Sequence, residues 1–161
     1  MHVDELGSPP PVGTRTAIEA YLHQKIPISA AMGVRVKTAT LERVDLWLPL
    51  QPNINHEKTL FGGSAAAAAT LAAWTLLHLR LTAAGAEPQL VVQRGAMEYK
   101  KPIVGDFEAT CLFGDTAAWG RFSHTLARRG KARLTMTARL MQGTNEMCAF
   151  FGDFVALRSS T

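Results

Sequence analysis

The chain has 161 residues, 47% of them hydrophobic and 19% charged, with a formal net charge of +4. That length fits one domain with a full core, and the composition excludes a disordered chain. The excess of cations is compatible with phosphate-bearing small molecules, but no nucleic-acid-binding motif accompanies it, so nucleic acid is not an expected partner.

The opening, MHVDELGSPPPVG, has no apolar run of the signal-peptide kind. It reads as a flexible lead-in over residues 1–14, before a single domain over 15–161. Thr16 and Glu19 have capping-box spacing, and Ile18, Tyr21, Leu22 and Ile26 follow at helical spacing until Pro27 stops the run. The spacing predicts a short amphipathic helix over about 15–25. Met32, Val34 and Val36 then alternate with polar residues, as do Val44, Leu46, Leu48 and Leu50. With so short a connection they predict a hairpin, ended by Pro49 and Pro52.

Residues 53–74 read NINHEKTLFGGSAAAAATLAAW. From about Ser64 to Leu81 the pattern is one long helix, closed by Gly85 and Pro88. No formal charge lies between Lys58 and Arg80, which raises a membrane span. Alanine dominates, however, whereas spans rest on Leu, Ile, Phe and Val. The expectation is therefore a helix that is apolar all round because protein surrounds it, with no membrane span.

The second half reads mostly as strand. Leu90–Tyr99 is one, and 105–113 another, with Phe107, Ala109, Cys111 and Phe113 on one face. Asp115 can cap a short helix carrying Trp119, Phe122 and Leu126, with Gly130 as its C-terminal cap. Leu134, Met136, Ala138 and Leu140 alternate with polar residues, a turn follows at Gly143-Thr144-Asn145, and a last strand runs from about Met147 to Leu157. Cys111 and Cys148 sit in apolar segments with neither metal nor disulfide spacing. Reduced, buried thiols suit a cytoplasmic protein, and no metal site is expected.

The count is about six strands against one long apolar helix. A curved antiparallel sheet wrapped around that helix would bury it, giving an α+β fold. Alanine is the best helix former, and its small side chain lets backbone layers approach closely. Leu71, Trp74, Leu77 and Leu81 recur at helical spacing and can fill the wider gaps.

Several segments together carry a family resemblance. They are Asn53-x-Asn55-His56-x-x-Thr59-x-Phe61-Gly62-Gly63-Ser64, the alanine helix ending Trp74-Thr75-Leu76-Leu77, Glu98-Tyr99-Lys100-Lys101-Pro102, and Gly105-Asp106. Over about 15–157 the chain resembles the YiiD C-terminal family of thioesterases. The resemblance implies a hot-dog fold that forms a homodimer, with a dimer of dimers left open. It also implies acyl-thioester sites at the dimer interface, for acyl-CoA or an acyl-carrier protein. No cofactor is implied, coenzyme A or phosphopantetheine being part of the substrate.

Thioester hydrolysis needs a carbonyl-polarising group, an activated water and an acyl cleft. Unpaired N–H groups of Gly62, Gly63 and Ser64 at the helix start can hold a developing oxyanion, and the same glycines can equally form a tight turn. His56 and Glu57 are candidate general bases. Counting from the glycines, the place where many related thioesterases carry Asp falls on Thr70, which cannot act as a base at neutral pH. The base then moves to His56, Glu57 or a partner subunit. Asn53 and Asn55 could serve the site or simply hold the turn. The expected catalytic set is Asn55, His56, Glu57, Gly63, Ser64 and Thr70. Asn53, Thr59, Phe61, Gly62, Trp74, Tyr99, Lys100 and Lys101 are expected around the substrate. Two basic clusters, Lys100–Lys101 and Arg128, Arg129, Lys131 and Arg133, could meet phosphate or form solvated surface. A hot-dog hydratase or dehydratase and a non-catalytic acyl-CoA-binding domain are the alternatives.

Overall fold

The structure is a computed structural model and describes residues 14–159; positions 1–13 of the expected lead-in lie outside the described residues. Helix α1 (Arg15–Lys25) starts without a side-chain cap. The expected capping box does not form, because Glu19 instead accepts the Val36 N–H at 2.9 Å. Pro27 does end α1, but it also opens α2 (Pro27–Ala31), at the first-turn position where a missing N–H does no harm. Strands β1 (Arg35–Ala39) and β2 (Arg43–Leu48) form the expected hairpin.

Helix α3 runs Gly62–Ala83, so both glycines lie inside its first turn rather than before it. Ala65, Ala68, Ala69, Ala72 and Ala73 are each at most 2% exposed. No helix among the described residues is long and apolar enough to cross a membrane. Strands β3 (Gln89–Tyr99) and β4 (Phe107–Leu112) follow. Asp115 caps α4 (Thr116–Arg129) through the Ala118 N–H, and Gly130 ends it in the left-handed region at φ 73°. Strands β5 (Lys131–Gln142) and β6 (Asn145–Leu157) complete one six-stranded antiparallel sheet, ordered β1-β2-β4-β5-β6-β3. The strands pack against α3, which makes this the hot-dog arrangement.

Register explains the grip. Val44, Leu46 and Leu48 of β2, Ala109 and Cys111 of β4, and Leu134 to Leu140 of β5 point alternately inward and are buried. Gly95 of β3 stands opposite Gly152 of β6. A Cβ on Gly152 would meet the Phe150 ring at 2.5 Å, so this bare stretch of strand lets an aromatic ring lie against the backbone. Phe113, expected on the inward face of β4, leaves the strand. Its N–H goes to the Glu42 carbonyl, and its ring lies under the Arg80 guanidinium at 3.4 Å.

The sheet has two edges, treated differently. The β1 edge is closed by α1, where Glu19 takes the Val36 N–H and Arg15 donates to the Lys37 carbonyl. The β3 edge carries exposed Val91 and Val92, and the Trp74 indole reaches it at Leu90 O, 2.9 Å away.

On the outer side of α3, His78 is stacked between Tyr21 and Trp74, with ring centroids 4.9 and 4.8 Å away. Burial holds its imidazole below the ordinary value of 6.5, outweighing the attraction of Glu87. The folded state therefore prefers neutral His78. Its contribution is whole above pH 6.5 and is lost as the pH falls from there towards the lower folded value. Urea titrations should show stability falling below pH 6.5, with a shallower fall for His78→Phe; an unchanged pH slope in that variant would contradict this account.

Candidate functional site

Two segments meet at the start of α3. The first is the loop after β2. Asn53 is buried at 2% exposure, and its amide donates to the Met32 and Pro49 carbonyls at 2.9 and 2.8 Å. Its own carbonyl accepts the Phe61 N–H. Asn53 thus ties the loop to the end of α2 and the end of β2, and it does not line the cavity. Asn55 organises residues 55–59. Its Oδ1 accepts the N–H groups of Glu57 and Thr59, and its Nδ2 donates to Thr59 Oγ1. His56 and Glu57 stand at the tip, 86% and 75% exposed, with Nε2 and Oε1 3.3 Å apart.

The second segment is the end of β3. Tyr99 lies opposite Cys148 of β6 and donates its hydroxyl to the Gly62 carbonyl at 2.9 Å. Partial burial raises its phenol above the usual range, so it remains a protonated donor at neutral pH. The hydrogen bond pins the strand end to the helix start.

Between these segments lies a cavity of about 550 Å³ lined by Thr59, Leu60, Gly62, Gly63, Ala65 and Tyr99, continued by Lys100, Lys101, Pro102, Ile103 and Cys148. The N-cap residue of α3 is Phe61, which has no group to cap with. The first N–H groups of a 22-residue helix are therefore left to the cavity, with the positive end of the helix dipole behind them. The Phe61 ring covers Gly63 so closely that an added Cβ would stand 2.5 Å from it. Lys100 pairs with Glu146, which Arg139 also approaches at 3.7 Å, while Lys101 makes no ion pair among the described residues.

The structure thus brings together Thr59, Phe61, Gly62, Gly63, Tyr99, Lys100 and Lys101 of the expected set. His56 and Glu57 sit on the adjoining loop, outside the lining. Ser64 is in the same first turn of α3 without lining the cavity. Thr70 and Trp74 line a different recess farther along α3, and Thr70 commits its hydroxyl proton to the Ala66 carbonyl at 2.8 Å. Cys148, expected only as a buried reduced thiol, also lines the cavity. Its thiol is raised above the usual range by burial, which outweighs the lowering by Lys100. No carboxylate or imidazole lines the cavity among the described residues.

The Asn55 side chain makes its four hydrogen bonds within residues 55–60. Asn55→Ala should therefore loosen residues 55–59, seen as faster proteolytic cleavage there with little change in the global unfolding midpoint. A loop as resistant as in the parent chain would show that Asn55 does not hold it.

Residues 15–158 match the family described as "Putative thioesterase (yiiD_Cterm)". A Chlorobaculum tepidum protein of unknown function is similar in structure, with 28% identity, a TM-score of 0.83, and coverage of 90% of this chain and 94% of that one. A structure described as a putative thioesterase from Shewanella oneidensis has 24% identity and a TM-score of 0.78, over 89% of this chain and 96% of that one. A thioesterase from Haemophilus influenzae shares the fold at 11% identity, with a TM-score of 0.70, over 90% and 91% of the two chains. With the family model matched across nearly the whole described length, the chain belongs to this yiiD_Cterm family.

Proposed function

We propose that the protein hydrolyses acyl thioesters of coenzyme A or of an acyl-carrier protein, as a homodimer. The observation that carries this reading is the uncapped start of α3 opening into a 550 Å³ cavity, in a chain of a thioesterase family. The thioester carbonyl oxygen sits at the N–H groups of Gly62 and Gly63, where the tetrahedral intermediate gathers negative charge. Lys100 and Lys101 at the cavity wall meet the phosphate that both carriers bear. Water is activated from the His56–Glu57 pair on the adjoining loop, since the lining itself supplies no base. Water then adds to the acyl carbon, the C–S bond breaks, and the thiolate leaves as the acid forms.

Phe61 has ψ 131°, a conformation that tolerates a following proline, and Gly62 is the first helical residue, where proline is also tolerated. Gly62→Pro therefore removes one N–H without breaking the helix. In a free-thiol release assay across acyl chain lengths it should lower kcat by about a hundredfold. His56→Ala and Glu57→Ala should each lower kcat by at least about tenfold. Saturable binding of acyl-CoA without any thiol release would favour an acyl-CoA-binding domain instead.

The dimer reading rests on β3, an eleven-residue edge strand with Val91 at 51% and Val92 at 44% exposure. A long edge with apolar side chains calls for cover. A second copy pairing β3 to β3 would continue the sheet and bring a partner beside Tyr99. Val91→Asp should shift the chain from dimer to monomer in sedimentation, with activity falling in parallel; a monomeric parent chain would refute the assembly.

A further inference from the structure

Farther along α3 is a second concavity, about 270 Å³, lined by Ile26, Ile28, Ser29, Met32, Ala67, Thr70, Leu71, Trp74 and Val92. Its walls are apolar apart from two hydroxyls. Ser29 is fully buried, and its Oγ has no hydrogen-bond partner. A buried hydroxyl without a partner is costly, so a native structure that keeps one invites a ligand or a water. Thr70 is complementary. Its proton goes to the Ala66 carbonyl, which leaves its oxygen lone pairs for an incoming donor. A group that accepts from Ser29 and donates to Thr70 satisfies both, and a hydroxyl does this.

The recess lies on the same face of α3 as the helix start. Gly63, Ala67, Thr70 and Trp74 fall at i, i+4, i+7 and i+11, one stripe of α3 that is not fully buried. Gly63 and Ala67 are small, and Trp74, held by its indole N–H on Leu90, ends the track. From Gly63 to Thr70 the track is about 10 Å long at the helical rise. A group meeting Thr70 therefore lies many bonds from a thioester carbonyl held at Gly63.

We infer that this recess receives the far end of the acyl group and selects chains that carry a hydroxyl there, held between Ser29 and Thr70. The inference rests on the acyl-thioester reading above and narrows its substrate class. A hydroxyl next to the thioester would sit too close to Gly63 to reach the pair. A plain alkyl end would fill the apolar walls but leave Ser29 unpartnered.

The test uses non-hydrolysable thioether analogues of coenzyme A bearing octyl or ω-hydroxyoctyl chains, titrated by calorimetry. The hydroxylated analogue should bind about tenfold more tightly to the parent chain, the worth of one good hydrogen bond. Ser29→Ala should abolish the preference, and Thr70→Val should reduce it. Tighter binding of the octyl analogue, equal binding of the two, or failure of both to bind would overturn the inference; equal binding is also the result if the recess merely holds a water. So would a preference that survives Ser29→Ala. The readout needs no turnover, so absent hydrolysis with the preference intact would sink the catalytic reading alone. Hydrolysis without the preference would sink only the selectivity.

Discussion

Everything else in the molecule is arranged around how closely the sheet lies against α3. Ala68, Ala69, Ala72 and Ala73 are fully buried under the sheet, and in so tight a core an added branch forces strands apart. Alanine also gives the helix its stability without help from a solvated face. The enclosure has a functional consequence. With most of the middle of α3 buried, its first turn and the Gly63–Trp74 stripe are among the parts left open to a ligand. Both cavities discussed above open on those places.

The two edges of the sheet divide structure from function. At β1 the free backbone groups are answered from within, by Glu19 and Arg15 of α1. That closure holds α1 in place and brings Tyr21 against His78. At β3 no such cover exists among the described residues beyond the Trp74 indole, and the exposed large apolar side chains there are Val91, Val92 and Tyr99. The open edge runs directly into the cavity, because Tyr99 is both the last residue of β3 and the tie to Gly62.

Much of this was legible in the sequence because it is local. Period-two alternation marked β2 and β5, and Asp115 with Gly130 marked both ends of α4. The alanine run announced a helix gripped on all sides. What the sequence hid was set by partners distant along the chain. Glu19 looks like a capping residue until β1 arrives and offers the Val36 N–H. Pro27 reads as a stop because the pattern before it is strong, although proline is equally at home in the first turn of α2. Asn53 and Asn55 look alike in NINH, yet one is buried against the Met32 and Pro49 carbonyls, at the ends of α2 and β2, and the other folds its own loop. Cys148 entered the cavity only because β6 pairs it with Tyr99, a register that no local signal reveals.

The position of the base ties these threads together. In the single chain the His56–Glu57 pair is exposed to water, where charges are screened and proton transfer gains little from its surroundings. The cavity beside it holds oriented donors but nothing to remove a proton. A catalytic reading therefore requires something to cover the loop and lower the local dielectric. The uncovered β3 edge ends at Tyr99, one hydrogen bond from the helix start. On the proposed reading, the partner that completes the sheet is also the lid that gives His56 and Glu57 their strength, and assembly and activity become one event.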